Sequence, residues 1–257
     1  LSSYLDGNLG LDNNLIDLWG QATAQTQNIG IAGTVMVLTQ DHDADALIKA
    51  NAQVNQDTAF RSGSGLQDVI IQAQGIAHTI SLTGNFQTFG IQGSTNIKSW
   101  SKGDIVQKPG FGTQNKGKGA VGFGGSVFQY AMGNTARIED GVILYADSLE
   151  VEADNTVLNV AAAISGGEAG KFGFNGAFVY TDVDNITRAQ IENSAAVTVG
   201  SGSVFDPDAD GASAFVSAND TTTVISLAGA VTVAKTAGVG ASVAINDIQR
   251  DTDAVIG

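Results

Sequence analysis

The chain has 257 residues, of which 43% are hydrophobic and 15% charged, with 33 glycines, two prolines and no cysteine. Low charge with high apolar content excludes a disordered chain, and the missing cysteines exclude disulfides and thiolate metal sites. Twelve basic residues against 26 acidic ones leave a net charge of −14, which argues against a nucleic-acid partner, because phosphate binding needs a basic surface.

Residues 1–14 hold the Gly, Asn and Asp of turns. From Leu15 the chain repeats itself. A short apolar unit, LIDLWG (Leu15 to Gly20), returns as TISLTG (Thr79 to Gly84), VLNVAA (Val157 to Ala162) and VISLAG (Val224 to Gly229). Ahead of the last three stand Ile71-Gln72-Ala73, Val151-Glu152-Ala153 and Val216-Ser217-Ala218. Behind each short unit comes a longer one that opens on Gly30, Gly122, Gly173 or Gly238. An apolar residue follows at Val35, Val127, Phe178 or Val243. Each copy closes on Ala-x-Ile, at Ala46 and Ile48, Ala136 and Ile138, Ala189 and Ile191, and Ala254 and Ile256. The units are rich in Val, Ile, Phe, Ala and Thr and bounded by Gly, Asn and Asp, which reads as strands. Three blocks recurring in one order read as stacked structural repeats, each burying a ridge that it cannot bury alone.

The last copy, G-V-G-A-S-V-A-I-N followed by T-D-A-V-I, with V-x-A upstream, resembles the repeats of large bacterial filamentous adhesins. The nearest are the leukotoxin-family filamentous adhesins, with filamentous haemagglutinin-like proteins as wider kin. The resemblance is clearest from Gly141 to Gly257 and looser before it. It implies an all-β, parallel β-helix solenoid at a bacterial cell surface, right-handed by the general preference for right-handed parallel crossovers. The ladder glycines stand 92, 51 and 65 residues apart. With coils of roughly 20–25 residues, each period is expected to cover two or three coils, giving about ten to twelve coils and, at about 4.8 Å each, a rod of roughly 50–60 Å. The expected core columns are Val35, Val127, Phe178 and Val243, then Ile48, Ile138, Ile191 and Ile256. Residues 1–257 are expected to form a single β-helix segment, either of a longer chain or of a fibre subunit, since the final copy stops at Ile256-Gly257 and no signal peptide is visible.

One interval breaks the rhythm. Ten residues separate Gly20 from Gly30, but 38 separate Gly84 from Gly122. An insertion at about 85–121, forming a loop or an extra coil, carries Lys98, Trp100, Lys102, Lys108, Lys116 and Lys118. Insertions into a solenoid emerge on one face and often bind, so these six are the candidate binding-loop residues; a plain solvated loop fits the same length.

The sharpest polar motif is Asp206-Pro207-Asp208-Ala209-Asp210-Gly211. Alternate carboxylates before a glycine suit a turn-bound Ca²⁺, with Asp206, Asp208 and Asp210 as ligands. The twelfth position, where an EF-hand needs Glu, is Ser217. A solvated acidic turn fits equally, because Asp favours turns by bonding its own backbone. Asp41, Asp43 and Asp45 read as a second acidic turn, and Asp247, Asp251 and Asp253 as a looser third, with Asp43 aligned to Asp251 and Asp45 to Asp253.

An enzyme is not expected. Two isolated histidines, His42 and His78, and four arginines, Arg61, Arg137, Arg188 and Arg250, assemble no catalytic set. Ser126 and Ser242 lack the strand-to-helix context of a nucleophile elbow. Arg137 and Arg188 sit beside the closing Ala-x-Ile and read as structural.

The expectation is therefore a structural and adhesive segment of an extracellular bacterial filament, a stiff rod presenting loops for attachment. Its partners would be neighbouring segments end to end, with host or neighbour-cell surfaces or glycans at the loops, and no membrane insertion, since no stretch approaches the roughly 20 apolar residues that a crossing helix needs. The alternatives are a fibre subunit that polymerises through open coil ends and a carbohydrate-active β-helix enzyme of the polysaccharide lyase or hydrolase type.

Overall fold

A computed structural model describes residues 15–22, 24, 27–57, 68–85, 113–114, 118–199 and 214–257. They form twelve strands: β1 (Leu15–Gln21), β2 (Ile29–Ile48), β3 (Gln53–Val54), β4 (Val69–Asn85), β5 (Thr113–Gln114), β6 (Gly119–Ile138), β7 (Ile143–Ala146), β8 (Leu149–Ala169), β9 (Phe172–Ile191), β10 (Ala196–Val199), β11 (Ala214–Ala234) and β12 (Ala237–Ile256). The fold is all-β. A first sheet runs β1-β4-β8-β11, with β5 beside β8; a second runs β2-β6-β9-β12; a third runs β3-β7-β10. Every pairing is parallel. The chain visits the three sheets in turn, and each return lays a strand beside its predecessor.

The count of layers differs from the expectation. Gly173 pairs directly with Gly238, so no coil intervenes between successive copies and one period is one circuit. The described strands make four layers rather than ten to twelve coils. At about 4.8 Å per layer the stack is about 14–19 Å deep, not 50–60 Å. The length is spent within each circuit instead. Inward and outward residues alternate without a corner along all 20 residues of β9, about 65 Å of extended chain. Asp41, Asp43 and Asp45 do not form a turn but lie within β2, and Asp247, Asp251 and Asp253 lie within β12.

Registry is held by the Ala-x-Ile end. Ile48, Ile138, Ile191 and Ile256 form one column, as expected, and Ile138 and Ile191 are buried where the three sheets meet, with Leu144, Leu149 and Val151. The other expected column is corrected. Val35, Phe178 and Val243 do align, but with Gly125; Val127 aligns with Val37, Tyr180 and Ile245. The copy in β6 is two residues shorter between its glycine and its Ala-x-Ile, so Ala120, not Gly122, pairs with Gly173. A two-residue shift keeps every side chain on its own face. That face is the outer one: Val35 is 62% and Val243 52% exposed.

Toward the corner where the first sheet hands the chain to the second, the gap between the sheets is narrow. A Cβ on Gly240 would stand 2.7 Å from the Ala230 carbonyl oxygen, and one on Gly124 would stand 3.0 Å from Gly84 Cα. Small and polar residues fill this part of the interior. Ser126 Oγ donates to Thr83 Oγ1 at 2.7 Å and Asn175 Nδ2 to Thr232 Oγ1 at 2.7 Å. Larger side chains sit midway along the strands, where Phe128, Tyr130, Met132, Val157, Val179 and Val183 pack between the sheets. Burial pushes the Tyr130 phenol up to about 12, so it stays neutral. Phe128 is fully buried. Phe128→Ala is expected to cost about 3–5 kcal/mol by chemical denaturation, through lost transfer energy and the cavity left behind.

Candidate functional site

Of the residues singled out in the sequence, Asp206, Asp208, Asp210, Lys98, Trp100, Lys102, Lys108 and Lys116 lie outside the described residues. Lys118 is described; it is exposed in the turn before β6, and its carbonyl accepts the Phe172 N–H at 3.1 Å.

The structure locates the point at which the insertion leaves. β4 ends with Asn85 opposite Ser165, and β5 resumes with Thr113 opposite Gly167. One register position, that of Gly166, separates departure from return. β5 therefore continues the line of β4 along β8, and residues 86–112, which lie outside the described residues, connect two positions of one layer that are a single register step apart. Gly84 sets the exit. Its φ is +151° and an added Cβ would overlap the Ile164 carbonyl, so only glycine fits there without strain. Its own carbonyl accepts the Ala22 N–H at 3.1 Å, which ties the exit to the first layer.

Most of the described carboxylates occupy the half of the circuit away from the narrow corner, where they form three groups; Asp17 and Glu168 stand nearer that corner. The first lies on the outer face of the second sheet. The expected alignments hold: Asp43 and Asp251 share a column, as do Asp45 and Asp253. The columns are not continuous ladders of acid, because Gly133 and Ile186 stand within the first and Thr135 and Arg188 within the second. Arg188 pairs with Asp251 at 2.6 Å and Asp253 at 3.9 Å.

The second group is at the corner between the second and third sheets. Glu139 accepts the Ala50 N–H at 2.9 Å, Glu192 accepts the Asp140 N–H at 2.8 Å, and Asp140 accepts both the N–H and the hydroxyl of Ser194. Each acid thus caps a backbone donor of a neighbouring layer. The Ala50 N–H and Lys49 hold Glu139 below the usual carboxylate range, and Ser194 does so for Asp140. Arg137 bridges Glu139 at 3.5 Å and Glu192 at 3.4 Å.

Sequence reasoning missed the third group. Glu150, Glu152 and Asp154 project from the outer face of β8, and their signal was three acids at alternate positions of a strand. Gln72 Nε2 donates to Glu152 at 3.0 Å and Asn219 Nδ2 to Asp154 at 3.1 Å. Desolvation, then the charges of Asp154 and Glu150, push the Glu152 carboxyl up.

His42 is exposed within β2, and His78 stands in register with Leu15 and Leu158 on β4. Among the described residues, no three His, Asp or Glu side chains converge as metal ligands. The acids visible here cap backbone donors and link layers. No protein-family model, curated protein or solved structure matches the chain.

Two expectations follow from this geometry. Glu152 is harder to ionise in the folded protein than in the unfolded chain, so its charge destabilises the fold once the pH rises through its raised folded pKa, and not below its ordinary value. Glu152→Gln, which can still accept from Gln72, is expected to raise the melting temperature at pH 7 by about 1–3 °C. The gain should vanish in scans below about pH 4, the ordinary range of the carboxyl. Replacing residues 86–112 by a single glycine opposite Gly166 is expected to leave the far-ultraviolet β signal intact and to shift the melting temperature by no more than about 5 °C, the scale of 1–2 kcal/mol in a chain of this size.

Proposed function

We propose that the chain is a segment of a right-handed parallel β-helix, four circuits deep, that serves as a stiff structural and adhesive element of a secreted or surface-attached bacterial filament. The observation that carries this reading is the strand pairing. Two sheets gain one in-register parallel strand in each of the four circuits and the third in three of them, so stiffness comes from continuous backbone ladders and the unit can in principle extend without a new fold. The branch point between Asn85 and Thr113 supports the second half of the reading. The segment between them, which carries Lys98, Trp100, Lys102 and Lys108, joins two nearly adjacent register positions of one layer, so removing it would not interrupt the layers; Lys116 follows β5. The segment's ligand would be an acidic or glycan surface of a host or neighbouring cell.

A second reading, a fibre subunit that adds end to end, is favoured by the last layer. Among the described residues, β11 pairs with β8 and β12 with β9, each along one edge. Free edges of this length are templates for another chain.

Negative-stain electron microscopy over a concentration series separates the two. Flat particles about 65 Å across that do not lengthen with concentration are expected for a filament segment. Ribbons that lengthen with concentration would favour end-to-end assembly, and collapsed or irregular particles would overturn both.

A further inference from the structure

The narrow corner is built inside out. Its interior holds Ser81, Thr83, Ser126, Ser165 and Asn175, all buried, whereas its outer surface is apolar. On the second sheet the apolar area is a block four strands wide and five outward positions long. Its first three columns are Ile29–Gly119–Phe172–Ala237, Ile31–Val121–Phe174–Val239 and Gly33–Phe123–Gly176–Ala241. The last two are Val35–Gly125–Phe178–Val243 and Val37–Val127–Tyr180–Ile245. Ile31 is 71% exposed, Val37 66% and Phe174 53%. The block is flat because glycines surround its middle: the Phe123 ring lies over Gly125 and Gly176. Exposed apolar patches of several hundred Å² mark interaction surfaces.

Charge brackets this block, with opposite signs at its two ends. The turns that lead into it carry Lys118, Lys171 and Lys235, all exposed. Immediately beyond it, Asp182 and Asp247 form the next outward column of β9 and β12, and Asp184 follows on β9. Among the described residues, no ion pair engages these lysines or these three aspartates. The bracketing is symmetric about the middle column. Lys235 and Asp247 lie six residues either side of Ala241; Lys171 and Asp182 lie five and six residues either side of Gly176.

We propose that this face docks on the same face of a second copy, about a two-fold axis that runs along the stacking direction through the column Gly33–Phe123–Gly176–Ala241. Such an axis reverses the strands and keeps layers level. It lays apolar block on apolar block, and it sets Lys171 of one copy against Asp182 of the other and Lys235 against Asp247, each pair occurring twice. This self-complementarity is what a two-fold interface requires. It is lateral, and so distinct from end-to-end assembly along β11 and β12. The block measures about 30 by 19 Å, or about 550 Å² per copy. That is about 1,100 Å² in all, just above the threshold of about 1,000 Å² for a specific interface. A lipid surface fits the bracket less well, because anionic headgroups would meet Asp182, Asp184 and Asp247 at the same depth as the lysines.

The test is sedimentation velocity on the full chain, with its β signal checked by circular dichroism. The wild type should reach a monomer–dimer equilibrium. Lys171→Asp with Lys235→Asp should weaken the dimer at least about tenfold, and so should Asp182→Lys with Asp247→Lys. All four positions are solvent-facing, so folding should be unaffected. An equal mixture of the two variants should recover a dimer that neither forms alone. Several outcomes overturn the proposal: a wild type that stays monomeric; a dimer indifferent to both charge reversals; a mixture that fails to associate; or species that keep growing with concentration. A monomer that floats with phosphatidylglycerol vesicles overturns it too, and assigns the face to lipid.

Discussion

A strand laid parallel and in register on its predecessor inherits the predecessor's faces, because a one-residue slip would turn every inward side chain outward. Here that condition is imposed over 20 residues at once on the second sheet and 21 on the first, so each layer is committed along about 65 Å of chain. The layer cannot absorb an odd insertion in its middle. It can absorb a long insertion where pairing is interrupted and resumed at matched register, as between Asn85 and Thr113 along β8, and it tolerates an even discrepancy, as between the ladder glycines of β6 and β9.

The second constraint is the gap between the first two sheets. Where the third sheet joins them the interior is roomy, and Ile138, Leu144, Leu149 and Val151 fill it. At the opposite corner only two residues, Gly170-Lys171 or Lys235-Thr236, turn the chain from one sheet to the next, and the backbones close in until glycine, alanine, serine and threonine are what fit. Those residues bury little apolar area, and their hydroxyls and amides must find one another, as Ser126 finds Thr83. Inward positions therefore become small and polar from spatial necessity. The same strands keep their β-branched and aromatic residues for the outward positions, where they stiffen the sheet and create the apolar block.

This inversion explains what could and could not be read from sequence. The Ala-x-Ile columns and the matched Ile71, Val151 and Val216 were legible, because there the usual rule of apolar inside holds and the register confirms them. Val35, Phe178 and Val243 were legible as a column, yet their direction was not, since nothing in an alternating strand says which alternate faces the partner sheet when both faces carry apolar residues. The layer count failed for another reason. Repeat spacing measures the circuit, not its number of sides, and the Asp residues of Asp41–Ala46 resemble a turn while serving as strand residues. The insertion was visible as excess length; its branch point was not, because β5 is two residues long and leaves no periodic signal. Glu150, Glu152 and Asp154 were visible only as alternation.

The imperfection of the repeats follows from the stacking itself. Side chains in one column stand about 4.8 Å apart, so a faithfully repeated acid would stack carboxylate on carboxylate. The copies diverge most at such positions. Glu152 has Gln72 and Ser217 as its register neighbours, Asp154 has Gln74 and Asn219, and Asp253 has Arg188. Where Glu139 and Glu192 occur at the same corner, Arg137 lies between them. Asp182 and Asp247 are register partners and depart from this pattern. They form the acidic end of the apolar block, where a partner's lysines would supply the missing countercharge. A net charge of −14 is thus compatible with close stacking because the acids are dispersed over columns rather than repeated along them. The altered copies in the sequence are what a parallel stack of an acidic chain demands.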